Sequence, residues 1–275
     1  MTRASAPASS ANLGPGFDVL ALALDLLLSV VAEPAQGWEI VGEGDASTLP
    51  MIEAMGLPPM HVEITSDVPV GRGLGSSAAL RAAIAAAALA VGGEVSRDEV
   101  FRRVAAAEGH ADNAAAAVYG GLMAVGSDGS TMSLAVHPSL LVVVAVPAYP
   151  VSTERAREAL PGGVQRAVAV RTAARLTFLV EGLRTADPAA LAAAAGDEIH
   201  EEPRTSLSPL SGELVRVART AGALHASWSG AGPAVVAFAT EETVDRISAA
   251  LAAALDGEGE VLEPEVDRIG IVVEP

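Results

Sequence analysis

Gly71, Gly73 and Gly75 alternate through the segment Pro69 to Ala79, PVGRGLGSSAA, and run into Ser76 and Ser77 at the head of an alanine-rich stretch. His61 to Ile64 alternate as a strand does, so the order is strand, glycine loop, helix N-terminus. Glycines let backbone N–H groups approach a ligand with no Cβ in the way. A helix start adds unpaired N–H donors and a partial positive charge. Together these features bind phosphate. A glycine turn capped by the Ser76 hydroxyl would leave the same pattern; the paired serines favour phosphate. The segment is neither G-x-x-x-x-G-K-[ST], since no lysine follows, nor G-x-G-x-x-G.

Composition narrows the chemistry. The chain has 275 residues, 51% of them hydrophobic, and a formal charge of −17. That length suits one large domain or two packed lobes. The acidity argues against nucleic acid as a partner, because phosphate backbones need basic patches. A small anion can still be held by a local nest of N–H groups. There is no cysteine, which excludes disulfides, thiolate chemistry and Cys-ligated zinc. All 17 basic residues are arginine, so a Schiff base and a lysine phosphate clamp are excluded too. The apolar run Val19 to Val31 is broken by Asp25 and follows Asp18, too short and too charged to cross a bilayer. A cytoplasmic protein with no membrane partner is expected.

The elements that must position the loop read as follows. Residues 3–33 are strand, loop, strand, with Ser9 to Asp18 dense in turn residues. Residues 36–60 are loop-like, with a short helix at Met51–Met55. Residues 77–91 form a buried alanine helix ended by Gly92 and Gly93, with Arg81 as its interior charge. Ser96 and Glu99 make a capping box for a helix to Ala107. A short helix from Asp112 or Asn113 closes at Gly120–Gly121, and a strand follows at Leu122–Val125. Ser139–Pro147 is a β-branched run that reads as a central strand. Helices are expected at 155–160, 164–183, 188–199, 212–221 and 241–255, and strands at 225–229, 235–239 and 266–273. Strands and helices mix without strict βαβ alternation, which favours α+β over a doubly wound sheet.

Three motifs stand in order: PASSANLGPGFDVL from Pro7 to Leu20, the glycine loop, and SGAGP from Ser229 to Pro233. The set resembles the small-molecule kinases named for galactose, homoserine, mevalonate and phosphomevalonate, the GHMP kinases. Further stretches resemble the homoserine kinases among them: EGHADN (Glu108 to Asn113), VSTERAREALP (Val151 to Pro161), DEIHEEPR (Asp197 to Arg204) and VDRIG (Val266 to Gly270). Each motif alone is weak to moderate; the ordered set covers nearly the whole chain.

The resemblance implies an α+β fold of two lobes, 1–150 and 151–275, with the active site in the cleft between them. It implies transfer of a phosphoryl group from ATP, with Mg²⁺, to the side-chain hydroxyl of L-homoserine, on the way to threonine. By the same resemblance the segment Pro69, Gly71, Arg72, Gly73, Leu74, Gly75, Ser76, Ser77 and Ala78 holds the nucleotide phosphates. Ser77 and Glu108 are its magnesium ligands, an oxygen set that suits a hard cation. On the substrate side the matching residues are Asn12, Asp18, His110, Asn113, Thr153, Arg157, Arg204 and Gly232. The chemistry agrees: a zwitterion needs guanidinium for its carboxylate, Arg157 and Arg204, and an acceptor for its ammonium, Asp18. A lone arginine in so acidic a chain would otherwise be a surface ion pair. His200 and His225 read as structural. Asn113 stands where sister enzymes have an aspartate base; an amide cannot act as one. Transfer is therefore expected without a strong protein base, catalysis resting on positioning and charge neutralisation in Ser77, Glu108 and Asn113.

Two departures stand out. The segment Gly42 to Pro59 is short and lacks asparagine, which leaves the adenine contacts open, and Ala234 stands where the family often has threonine. A kinase of another small alcohol and a non-catalytic ligand-binding member are the rival readings. Oligomeric state, a homodimer included, is left open by the sequence.

Overall fold

The computed structural model describes residues 1–42, 49–93 and 95–274. Its first layer is a seven-stranded sheet. Strands β1 (Thr2–Asn12) and β2 (Gly16–Pro34) form its central antiparallel pair. Beside β2 lies β4 (Met60–Ser66), and β3 (Glu39–Gly42) pairs parallel to β4. The hairpin β5 (Leu122–Val125) and β6 (Thr131–Leu134) joins the other end of β2, and β11 (Val272–Glu274) flanks β1. The segment expected as loop from Ser9 to Asp18 is thus mostly strand. Ser9, Ser10 and Ala11 pair with Ala23, Leu22 and Ala21, because burial between sheet and helix outweighs their turn propensity.

Helix α1 (Leu49–Ala54) overlaps the expected Met51–Met55; residues 43–48 of the short 42–59 segment lie outside the described residues. Helix α2 (Ser76–Val91) lies across the sheet with Ala78 through Ala88 buried on every side. A helix without a polar face must be a core helix. Alanine on α2 meets Ala4, Ala6 and Ala8 of β1, small side chains that let helix and sheet approach closely. Helix α3 (Arg97–Glu108) starts on the expected cap, Ser96 accepting from the Glu99 amide, and ends at Gly109. Helix α4 (Asp112–Tyr119) follows and also packs on α2 and β1.

The second layer is a four-stranded antiparallel sheet in the order β10 (Gly259–Leu262), β7 (Leu141–Pro147), β9 (Val235–Ala239), β8 (His225–Trp228). Both faces of β7 are buried. Val142, Val144 and Val146 join the large core, while Val143 and Ala145 join a second core under α9 (Pro209–Thr220) and α10 (Val244–Leu255). The β-branched run is therefore central, as its composition implies. Strand β7 precedes residue 150 yet belongs to this sheet, and β11 returns to the first one. A cut at 150 therefore does not follow the sheets.

Helices α5 (Thr153–Glu158) and α6 (Arg166–Thr185) connect the layers. The helix expected at 188–199 is the shorter α7 (Pro188–Ala193), since Gly196 turns left-handed at φ 87°. The one-turn α8 (Glu201–Arg204) follows. The strand expected at 266–273 is interrupted: a single bridge, Val266 to Leu24, precedes a turn in which Asp267 accepts from the Ile269 and Gly270 amides, and pairing resumes only at Val272 with β11. Among the described residues no helix is long and apolar enough to cross a membrane.

Candidate active site

The three ordered motifs meet at the glycine loop. Ser9 of β1 donates its amide to the Leu74 carbonyl at 3.0 Å. Its hydroxyl lies so close to Gly75 that a Cβ there would sit 2.1 Å from Ser9 Oγ. A Cβ on Gly73 would sit 2.2 Å from the Ser229 carbonyl oxygen and 2.9 Å from that of Gly232. Both glycines also take positive φ, 83° and 66°. The loop is glycine here because the Ser9 side chain of the first motif occupies the Cβ position at Gly75 and backbone of the third motif occupies it at Gly73.

Gly75 is the residue that precedes α2, and no side chain caps the helix among the described residues. The Ser76 cap that a plain turn would use is therefore not formed. The first intrahelical bond is Ala79 N–H to Gly75 O at 3.0 Å, which leaves the Ser76, Ser77 and Ala78 amides without intrahelical acceptors. These residues line a cleft of about 490 Å³. A helix end presenting amides and a positive pole to a cavity suits an anion.

Most of the expected residues line this one cleft. Gly71, Gly73, Gly75, Ser76, Ser77 and Ala78 are there, with Glu108, Asn12, Asp18, His110, Asn113, Thr153, Arg157 and Arg204. Four of the expected residues lie elsewhere. Pro69 and Arg72 line a separate hollow, and Arg72 donates to the carbonyls of Val70 and Ala148. Leu74 is buried in the large core. Gly232 sits against the backbone of Gly73 and does not line the cleft.

Asn12 organises the first motif from a positive φ of 72°. Its Oδ1 accepts from the Asp18 amide at 3.1 Å, and its Nδ2 donates to the Gly230 carbonyl at 2.9 Å. Asn113 lines the cleft, and its Oδ1 accepts from the Ser9 hydroxyl at 2.8 Å. Next to it the buried Asp112 carboxylate accepts from the Asn113 amide at 2.8 Å. His110 lies between carboxylates, its Nδ1 3.3 Å from Asp112 and its Nε2 3.8 Å from Glu108.

Across the cleft Arg157 forms a bidentate pair with Asp18, at 2.8 and 3.2 Å. The groups expected to take opposite ends of a zwitterion neutralise each other here. Arg204 is buried and donates to the carbonyls of Ala156 at 2.9 Å and Gly230 at 3.2 Å. Burial, and then the like charge of Arg157, lower its pKa to about 10, so it stays cationic at neutral pH. The ring of Phe17 stacks on His200 at 5.2 Å and lies 5.4 Å from the Arg204 guanidinium. His200 holds the Gly14 carbonyl at 2.9 Å and His225 holds that of Leu13 at 3.0 Å. Burial lowers the pKa of both, to about 4 for His225. Both brace the loop between β1 and β2, the structural role read from sequence.

Three participants escape sequence reading. Phe17 and Ser9 belong to a recognised motif, yet nothing in their type marks them as a ring under two arginines or a partner for Asn113. Arg81 does carry a signal: it is one helical turn after Ser77, on the same face of α2. Its Nη1 donates to Ser77 Oγ and pairs with the Glu108 carboxylate, both groups lining the cleft.

Residues 46–121 match the model of the GHMP kinase N-terminal domain and residues 179–257 that of the GHMP kinase C-terminal domain. The chain belongs to the GHMP kinase family. Among its curated relatives is a homoserine kinase of Thermus thermophilus, 39% identical over 95% of each chain. Another, from Desulfitobacterium hafniense, is 34% identical over 94% of each. The fold is similar to the crystal structure of homoserine kinase from Cytophaga hutchinsonii, with TM-score 0.86, 28% identity, and coverage of 99% of this chain and 97% of that one. As a GHMP kinase of α+β fold the protein is an enzyme that transfers a phosphoryl group, with ATP as donor.

Proposed function

We propose that this kinase transfers the γ-phosphoryl group of ATP to the side-chain hydroxyl of L-homoserine, giving O-phospho-L-homoserine in threonine biosynthesis. One observation carries the reading. An uncapped helix start for phosphates and a zwitterion's set of partners, Asp18, Arg157 and Arg204, line a single cleft. The full-length relatives named as homoserine kinases support the same acceptor.

The nucleotide phosphates lie on the Ser76, Ser77 and Ala78 amides, where the helix pole stabilises negative charge. The substrate carboxylate inserts between Arg157 and Arg204, and its ammonium takes the Asp18 carboxylate that Arg157 holds in the free protein. Thr153, at the first turn of α5, adds a hydroxyl on this side. Asn113 orients the reacting hydroxyl. The hydroxyl oxygen attacks the γ-phosphorus, the bond to the β–γ bridging oxygen breaks, and the hydroxyl proton leaves on the transferred phosphoryl oxygens. With both reactants held in line, positioning supplies most of the acceleration.

Magnesium is the expected companion of ATP, with Ser77 and Glu108 as ligands. In this arrangement their donor atoms do not fit a resident ion, because both already contact Arg81 Nη1. No step is assigned to the ion.

A coupled ADP-release assay across homoserine, mevalonate, shikimate and serine tests the proposal. Turnover concentrated on homoserine is expected. Faster turnover of another alcohol sinks the acceptor assignment, and ATP binding with no turnover on any acceptor sinks the catalytic reading.

A further inference from the structure

Arg81 is an ion inside an alanine helix. It is 2% exposed, and apart from Ser77 the side chains of α2 around it are alanine, leucine and isoleucine. A buried charge persists only where it is paired and hydrogen-bonded. Arg81 meets that demand at the phosphate end of the cleft, with one nitrogen on both the Ser77 hydroxyl and the Glu108 carboxylate. Glu108 is itself only 8% exposed at its side chain, so the pair is largely desolvated.

We propose that Arg81 is the resident cation of the phosphate site. Its guanidinium holds the place between Ser77 and Glu108 and, from that place, neutralises charge on the triphosphate when nucleotide binds. A divalent ion then enters only with the nucleotide, on phosphate oxygens, and not on the Ser77–Glu108 pair. The inference rests on the reading of this loop as the ATP site.

Three considerations carry it. A guanidinium does not deprotonate at neutral pH, so the position cannot become vacant by titration. A divalent ion brought to Glu108 while Arg81 remains would face a like charge in a poorly solvated site. A triphosphate held only by amides lacks a full positive charge, and the chain has no lysine to supply one. Among the described residues the cleft lining contains three arginines. Arg157 pairs with Asp18, and Arg204 is tied to the carbonyls of Ala156 and Gly230. Arg81 is the one rooted in the phosphate helix itself.

The test uses the whole chain and two probes. Mn²⁺ binding without nucleotide is followed by electron paramagnetic resonance for wild type, E108Q, R81M, R81K and R81M/E108Q. Binding of metal-free ATP in EDTA is followed by calorimetry. Wild type and R81K should show no Mn²⁺ site that depends on Glu108. R81M should gain one such site, and R81M/E108Q should lose it again. Affinity for metal-free ATP should fall at least tenfold in R81M and stay within threefold of wild type in R81K. A wild-type Mn²⁺ site abolished by E108Q would overturn the proposal, and that arm needs no Arg81 variant to fold. An R81M protein that gains no Mn²⁺, or keeps wild-type affinity for metal-free ATP, would overturn it as well. Failure of wild type to bind ATP with or without Mg²⁺ would instead overturn the reading of the loop on which the inference rests.

Discussion

Gly75→Ala isolates the close approach that assembles this cleft. The new methyl would have to adopt φ near 66° and would lie 2.1 Å from Ser9 Oγ and 3.1 Å from Asn113 Oδ1. The left-handed backbone alone costs an L-residue about 1 kcal/mol. The contact can be relieved only if the Ser9 hydroxyl moves off its 2.8 Å bond to Asn113. Ser9 is fully buried, and a hydroxyl left unsatisfied there costs about 1–3 kcal/mol. The sum is about 2–4 kcal/mol, or a fall in Tm of roughly 5–15 °C for a chain of this size. Gly121 provides the control: its φ is 69° and a Cβ there meets nothing within 4 Å, so Gly121→Ala should cost about 1 kcal/mol. Urea midpoints for the two variants, with ADP release as the second readout, separate backbone strain from contact. Turnover should fall far more in Gly75→Ala, because the displaced partner holds Asn113. Adding Ser9→Ala to Gly75→Ala should restore part of the lost stability, although Ser9→Ala alone destabilises; such non-additivity marks direct contact. Equal destabilisation at Gly75 and Gly121, or no relief from Ser9→Ala, would refute the reasoning.

Arg157→Leu should raise the KM for homoserine at least tenfold, leave that for ATP nearly unchanged, and shift Tm little, since its pair with Asp18 is half-exposed; unchanged homoserine affinity by calorimetry would place the substrate elsewhere. Asn113→Asp puts a carboxylate beside the buried Asp112 and the incoming phosphoryl group, so its pKa should rise and kcat at neutral pH should fall. A faster variant in the pH profile would show that a missing base limits the rate. Burial raises the Glu201 carboxyl from 4.5 to about 8 even though it accepts from the Trp228 amide, so the folded state holds an extra proton between those values. Its contribution to stability is complete below pH 4.5 and is lost as pH rises to 8. Glu201→Gln should therefore lose less stability than wild type between pH 5 and 8. The opposite slope from His225, lowered to about 4, is common to both proteins and cancels in the difference. Parallel curves would show that Glu201 does not titrate in that range.

Local chemistry was legible wherever a residue acts through its own backbone or its near neighbours. The capping box expected at Ser96 is present, the core helix expected at 77–91 spans 76–91, and the central strand expected at 139–147 spans 141–147. Spacing and composition suffice there, because caps and periodicity act within a turn or a strand. The short strands β3, β6 and β10 were not read, since four residues carry too little pattern and their pairing comes from distant partners. The turn-rich stretch from Ser9 departs from its local signal for the same reason: the backbone of Ser9, Ser10 and Ala11 pairs with β2.

The sequence by itself determined the family, the glycine loop at the head of a helix, and the place of Arg157, Arg204, Asp18 and Glu108 in the cleft, though not that of Arg81, because ordered motifs encode residue types at fixed separations. Only the tertiary structure decided what touches what. It placed Ser9 against Asn113 across 104 residues and Arg157 against Asp18 across 139. It left α2 uncapped where a Ser76 cap was the plain alternative. It also set Arg81 between Ser77 and Glu108, two groups read as free to hold a metal. Charge pairing depends on distance and desolvation, and neither is a property of a chain until helices and sheets from remote segments have packed.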